Sequence, residues 1–289
     1  MTRLPISAIV VFRNERELLE GCLSRLGFCD ELILVDMAST DGSRRVAARY
    51  SDRIYDWPAE PIADPARVRV ARYCRNPWIL IVDPDEHYPP ALVELIRVAL
   101  GEHADTDAGG FRLPTRFYFK RRALTGTIWG GDHHSKLVLI HRRRGQLLPY
   151  CNRIIEVRDG FETVTLPNTD DNHIRHYWSD SYRDLLHKHV YRYPLRDARR
   201  LVVEGHKFNW RWVTIAPMRA LKQSLIDRDG WRMGPRGWAL SAIYALYHLL
   251  IGCCLLFARR DDLAARRPGD VQAGKRLEST ELKHERKAA

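Results

Sequence analysis

No C-x-x-C pair and no regular cysteine framework occurs in this chain of 289 residues; Cys22, Cys29, Cys74, Cys151, Cys253 and Cys254 are scattered, mostly within apolar segments. A disulfide-stapled fold is thereby excluded, and buried thiols in a reducing compartment are expected. The opening Met1-Thr2-Arg3-Leu4-Pro5 runs straight into a strand-like stretch without a long apolar signal region or a small-residue cleavage site, so export is not expected. Zinc-finger spacing and an aromatic-basic ribonucleoprotein signature are missing, which counts against nucleic acid as a partner. There is no internal repeat and no H-E-x-x-H. A glycine-rich phosphate loop after the first strand is also lacking, because Phe12-Arg13-Asn14-Glu15 stands there.

What is present is a globular composition, 45% apolar, with a net charge of +11. The charge is spread over short clusters, Lys120-Arg121-Arg122, Arg142-Arg143-Arg144 and Arg199-Arg200. Such clusters suit phosphorylated substrates or anionic headgroups, or are simply solvated loops. The first hundred residues alternate short apolar runs with helical stripes. Strands are predicted at 6–12, 32–35, 53–56 and 78–82, and helices at 15–26, 43–50 and 64–74. Repeated β-α units imply an α/β, doubly wound, mostly parallel sheet. Ligands of such sheets bind beyond the carboxyl ends of the strands, where Asp36 and Asp83 fall.

The strand 78–82 ends in Asp83-Pro84-Asp85-Glu86. Side chains two apart on an extended chain point the same way, and Pro84 biases Asp83 away from helix. Both acids are therefore expected to turn into one crevice, where hard oxygen ligands suit Mg²⁺ or Mn²⁺ bridging phosphates. A strand-to-helix turn capped by Asp85-Glu86 is the competing reading. Strands at 110–119 and 136–141, without a helix between them, predict antiparallel additions to the sheet. Beyond residue 172 the pattern reads as helical, over 179–193, 217–229 and 238–258. Residues 259–289 mix nine Lys/Arg with six Asp/Glu and few apolar residues, the composition of a charged, disordered tail. The expected organisation is a catalytic domain over 1–172, a helical region over 173–258 and the tail.

Four blocks resemble the inverting family 2 glycosyltransferases of the GT-A fold, particularly the branch of lipopolysaccharide-core beta-glucosyltransferases. They are Ile9-Val10-Val11-Phe12-Arg13-Asn14-Glu15, then Leu34-Val35-Asp36-Met37-Ala38-Ser39-Thr40-Asp41-Gly42-Ser43. The third is Arg67, eleven residues before a block from Trp78 to Glu86, and the fourth is Gly230-Trp231-Arg232-Met233-Gly234-Pro235-Arg236-Gly237-Trp238. The resemblance implies transfer of a hexose, with glucose the guess, from a nucleotide sugar, a UDP-sugar by analogy, to a glycan or glycolipid acceptor of the cell envelope. It implies nucleotide-sugar contacts from Phe12, Asn14, Glu15, Asp36, Arg67 and Asp83, with Asp36 on the base and Asp83 on the ribose. Asp85, with Asp83, would hold the metal, and Arg67 would pair with phosphate through its planar fork. In this branch a His-Glu pair supplies the base. Here Ile155-Glu156 stands at that place, which makes Glu156 the first candidate. Departures from the branch are Arg16 for Glu, Val68 for Asn, Val138 for Arg and Met233 for Asp, with Pro84 replacing Ala inside the acidic block.

Asp132, in the glycine-flanked loop that holds Trp129, His133 and His134, is the second candidate base, and those three neighbours are candidate acceptor contacts. His173-x-x-His176 and His187-x-His189 do not have the spacing of a shared metal site. Residues 238–258 carry no Asp, Glu, Lys or Arg and would form a helix of about 32 Å, enough to cross a bilayer core of about 30 Å. A helix docked on the cytoplasmic face of the inner membrane is the leading expectation, ahead of a core helix and a span. Two rival functions remain, a metal-dependent nucleotidyltransferase and a non-catalytic basic module for nucleic acid or lipid.

Overall fold

The computed structural model describes residues 2–60, 62–131, 134–150, 153–169 and 171–257. The amino-terminal half runs β1 (Leu4–Phe12), α1 (Arg16–Leu23), β2 (Cys29–Asp36), α2 (Ser43–Ala47), β3 (Ile54–Asp56), α3 (Asp64–Val70), β4 (Trp78–Val82), β5 (Glu86–His87) and α4 (Pro90–Glu102). It continues with β6 (Ala108–Phe119), β7 (Arg122–Ala123), β8 (Ser135–His141), β9 (Gly145–Tyr150), β10 (Arg153–Val157), β11 (Glu162–Thr165) and β12 (Ile174–Ser179). Four α-helices follow: α5 (Tyr182–Leu186), α6 (Pro194–Val203), α7 (Ile215–Lys222) and α8 (Pro235–Phe257).

The main sheet has the order β3-β2-β1-β4-β8-β6-β12-β5, with β7 and β11 pairing onto β6. Strands β1 to β4 are mutually parallel, and β8 is antiparallel to both β4 and β6, as predicted for the residues after 109. Alternation along β1 explains why the sheet is covered on both faces. Ile6, Ala8, Val10 and Phe12 enter one core with Leu19, Leu23, Leu92 and Ile96 of α1 and α4. Ile9 and Val11 enter the other with Ala66 and Val70 of α3. Burying each such aliphatic side chain contributes about 1.5–3 kcal/mol.

The prediction fails most consequentially between residues 172 and 193. Helix was expected from 179 onward and no strand before it, yet 174–179 form β12, parallel to β6 and antiparallel to β5. The sheet therefore extends past residue 172. The segment Ile-Arg-His-Tyr-Trp-Ser lacks the two-residue alternation of a half-buried strand because aromatic and histidine side chains occupy both of its faces. The helical stretch 179–193 begins only at Tyr182, under a Ser181 cap, and passes into a wide π-type turn over His187–Arg192.

Helices α7 and α8 pack side by side. Ser224 Oγ lies 2.9 Å from Ser241 Oγ, and a Cβ on Gly252 would come within 2.6 Å of the Trp212 carbonyl oxygen. A Cβ on Gly237 would lie 1.8 Å from the Gly230 oxygen, so the glycine-punctuated block closes a turn too tight for any side chain.

Candidate active site

The loops after β1 and β2 are knitted together by the residues of the second sequence block. Asn14 sits at φ 53°, a left-handed conformation that asparagine tolerates. Its backbone N–H donates to Ser39 Oγ (3.1 Å), and its Oδ1 accepts from the Thr40 N–H (2.7 Å). The Glu15 and Arg16 N–H groups donate to Ser43 Oγ and Asp41 Oδ2, each at 3.0 Å. Asp36 is buried at the end of β2, where Oδ1 accepts the Ser39 N–H at 2.9 Å and Oδ2 lies 3.5 Å from Arg44. Phe12 places its whole side chain in the core, so only its backbone can meet a ligand.

Parallel pairing sets Phe12 beside Asp36 and Val10 beside Val82. Asp83 therefore falls opposite Val11, one residue short of Asp36, and the two emerge on either side of β1, about 10 Å apart at the strand spacing. Asp83-Pro84-Asp85-Glu86 is a turn, closed by Glu86 N–H to Asp83 O at 3.0 Å, with proline at its favoured second position. The extended-chain argument for Asp83 and Asp85 thus does not hold. Asp83 turns toward α3 and β8, bonded to Arg67 on one oxygen and lying 3.2 Å from Lys136 Nζ on the other. Asp85 turns toward β12, with Oδ2 3.1 Å from His176 Nε2. Glu86, fully buried, bonds Lys136 and lies 3.6 Å from His176 Nδ1.

The electrostatics follow from burial and this pairing. Burial alone would raise the Asp83 carboxyl, but Lys136 and Arg67 hold it far below the usual carboxylate range. Glu86 is raised, chiefly by burial. Burial works against the charges of Lys136 and His176, yet Glu86 and Asp83 raise the lysine and Asp85 raises the histidine. Glu15 is pushed up to about 7 by burial and then by the Asp85 and Asp83 charges, which places it beside the same acidic group.

Asp83, Asp64, Arg67 and Lys136 line a cavity of about 900 Å³ whose far wall is formed by Trp129, Tyr193, Arg196, Asp197, Tyr244 and Tyr247. Trp129 packs on Trp178 and Tyr244, with centroids 4.6 and 5.4 Å away. Its loop is tied to the glycine block through Thr127 N–H to Arg228 O at 2.9 Å. Asp36 is not part of the cavity lining.

Glu156, on β10, is not gathered with the acids. Ile155 faces the cavity, neighbours on a strand point to opposite faces, and Glu156 Oε2 accepts from Gln146 Nε2 at 3.1 Å on the exposed side of the hairpin. His134 stacks edge-on against Phe117 at 5.5 Å. Asp132 and His133 lie outside the described residues.

His176 is the residue that the spacing argument set aside. Its signal was present in sequence only as the pair His173-x-x-His176, and strand geometry rather than spacing brings it to Asp85. The 3.1 Å between Asp85 Oδ2 and His176 Nε2 is a hydrogen bond, and the two side chains are of types that could both turn to a divalent cation. A ligating histidine is usually supported by a hydrogen bond on its other nitrogen, but among the described residues His176 Nδ1 has no hydrogen-bond partner and Glu86 stands 3.6 Å from it. Among the described residues no group of three or more His, Cys, Asp or Glu could hold a metal ion. Asp85 and His176 would therefore supply two positions and leave the others to phosphate oxygens and water.

Residues 7–147 match the family model Glycosyl transferase family 2. This stretch is a family 2 glycosyltransferase domain, and its curled, mostly parallel sheet with flanking helices is of the GT-A type. Among curated proteins the chain is similar to the lipopolysaccharide core biosynthesis glycosyltransferase LpsC of Rhizobium meliloti (strain 1021), 32% identical over 122 residues that cover 40% of this chain and 44% of that protein. The chain thus spans under half of that relative's length. Solved structures similar to it include the mannosyltransferase PcManGT of Pyrobaculum calidifontis with GDP-Man and Mn²⁺, at 15% identity over 98% of this chain and 81% of that one, with a TM-score of 0.48. Another is S. aureus TarS 1-349 with UDP-GlcNAc, at 17% identity over 41% of this chain and 35% of that one, with a TM-score of 0.35.

Proposed function

We propose that the chain is a metal-dependent inverting glycosyltransferase that moves a hexose from a nucleotide sugar to a glycan or glycolipid acceptor of the cell envelope at the cytoplasmic face of the membrane. The observation that carries this is the juxtaposition of Asp85, within the family 2 stretch, with His176 of β12, beside Asp83 at the carboxyl end of β4. Mg²⁺ or Mn²⁺ there would neutralise the departing diphosphate. Arg67 and Lys136 add fixed positive charge next to the same group and are themselves held by Asp83. Asp36 and the Asn14–Ser39 loop pair would receive the nucleotide. The aromatic far wall offers stacking faces for sugar rings.

Of the carboxylates on the cavity wall, Asp64 and Asp83 are committed to Arg67. Asp197 stands on the opposite wall, where it accepts from Tyr247 Oη. It is the acid best placed to take a proton from an acceptor hydroxyl. Glu156 remains the alternative that the family resemblance supports.

The test is titration calorimetry of UDP- and GDP-sugars in the presence and absence of Mn²⁺, on the wild type, Asp85→Ala and His176→Gln. Both variants should lose the metal-dependent part of donor binding, by ten- to a hundredfold or more, and keep the metal-independent part. Unchanged Mn²⁺-dependent binding in both would remove this assignment.

A further inference from the structure

Helix α8 has two faces with different employment. On the inner face Tyr244 and Tyr247 line the cavity, while Leu240, Ile243, Ile251 and Leu255 are buried in protein. On the outer face Trp238, Ala242, Leu246, Leu249, Cys253 and Leu256 recur every three or four residues and are exposed or half-exposed. That stripe is about 27 Å long at helical rise. Trp238 is 56% exposed, Leu246 38% and Leu256 49%, and no Asp, Glu, Lys or Arg falls between Gly237 and Phe257. An uninterrupted apolar stripe of this length in water marks a contact surface.

The helix is long and apolar enough to cross a membrane, with a mean hydropathy of 2.0 over its most apolar window. A span would have to strip the inner face from the cavity wall and from the segments on either side of α7, where Gly252 and Ser241 are in close contact with the Trp212 backbone and Ser224. Lying flat requires neither loss, since the protein already covers the other side.

Charge selects the occupant. Residues 206–257 contain seven Lys/Arg against two Asp/Glu. Arg219 stands on the same helix as Met218, which is 69% exposed, while Lys222 and Arg232, the latter over Trp231 at 5.3 Å, are paired with Asp227 and Asp229. Two copies of so basic a segment would repel each other, whereas anionic headgroups match it.

We propose that the outer face of α8, with the Trp231–Arg232 turn, docks on an anionic lipid bilayer and holds the cavity about one helix diameter, roughly 10 Å, from the lipid. Resting on the transferase reading above, this makes the acceptor a lipid-anchored saccharide whose accepting sugar lies close to the membrane surface.

The test is co-sedimentation of the full chain with phosphatidylcholine vesicles, with and without phosphatidylglycerol. It compares the wild type, Leu246→Glu/Leu249→Glu and, as a variant that leaves the helix untouched, Arg228→Ser/Arg232→Ser. The wild type should sediment with phosphatidylglycerol vesicles, more weakly at high salt, and alkaline carbonate should release it. The glutamate pair should bind at least about tenfold more weakly, and the serine pair should lose most of the phosphatidylglycerol preference, with donor calorimetry unchanged in both. A wild type that ignores the vesicles, or a glutamate pair that binds as well as wild type, overturns the proposal. So does retention after carbonate, which would mean a span, or a concentration-dependent dimer abolished by the glutamates, which would mean a second copy. Loss of donor binding in a wild type that still sediments would sink the transferase reading and leave the docking surface standing.

Discussion

Replacing Lys136 by methionine isolates the charge balance of the acidic turn. Its Nζ lies 3.2 Å from Asp83 Oδ2 and bonds the fully buried Glu86. A unit pair near 4 Å contributes about 4 kcal/mol at an effective dielectric of 20. Against this stand the desolvation of the lysine and the partial exposure of Lys136 and Asp83, 31% and 35% of their side chains. Asp83 also keeps Arg67, and Glu86 keeps His176. Breaking a buried pair from one side costs about 3–5 kcal/mol, so the discounted expectation for Lys136→Met is about 2–3 kcal/mol, or several degrees in Tm. Glu86 already has a folded pKa above its unfolded value. Ionising it costs stability as pH rises through the window between the two, and losing Lys136 moves the upper edge of that window higher. The destabilisation should therefore be largest at neutral and alkaline pH and shrink on acidification, as Glu86 takes up its proton in the folded state. Urea unfolding at a series of pH values measures this. Adding Glu86→Gln to Lys136→Met should restore a good part of the lost stability at neutral pH. A single variant as stable as wild type, or a double variant no better than the single, would refute the claim that Lys136 offsets the burial of the Glu86 carboxyl.

Two further outcomes follow from the same geometry. In transfer assays with saturating donor, Asp197→Asn should lower kcat by at least about a hundredfold while Glu156→Gln stays within a few-fold of wild type. The reverse pattern would return the base role to Glu156. His87, against Tyr177 at 4.6 Å, is pushed down to about 4 by burial and by Arg25 and Arg175. The unfolded chain therefore binds the extra proton between pH 6.5 and 4, and stability should be lost as pH falls through that interval, with a slope of at most about 1.4 kcal/mol per pH unit. His87→Gln should flatten that part of the curve in urea midpoints taken at pH 7 and 5, and an unchanged slope would show that His87 does not carry it.

The parallel half of the fold was legible because its signals are local. Strands β1, β2 and β4 are continuous apolar runs, the helices between them carry stripes, and the acids fall at strand ends by counting alone. Asp36 and Asp83 were found in this way and Arg67 through the family resemblance, and Arg67 and Asp83 do meet. What stayed hidden depends on partners far away in sequence. β12 is a strand because β6 and β5 offer edges for it, and nothing within Ile-Arg-His-Tyr-Trp-Ser announces that. His176 could not be assigned to Asp85 without the pairing of β12 with β5, which sets His176 opposite Glu86. Lys136 was passed over for a different reason. A lysine opening an apolar strand reads as a solvated end, and only the antiparallel placement of β8 against β4 turns it onto the buried carboxylates.

That placement also explains why the donor and the ion should arrive together. Asp83, Asp85 and Glu86 bring three negative charges into one buried turn, while Arg67 and Lys136 bring two positive ones. With His176 neutral the group is short by one positive charge, and the Glu15 carboxyl is pushed up to about 7 by burial first and then by the Asp85 and Asp83 charges. A divalent cation overshoots that balance by one. A diphosphate alone would add its charge to a turn that is already net negative, whereas with the cation in place it offsets the cation's excess, so each should bind more tightly in the presence of the other, and by linkage the two enhancements must be equal. Calorimetry of Mn²⁺ into the free protein and into its UDP complex measures both sides of that equality, and a metal affinity indifferent to UDP would mean that the two do not share this site.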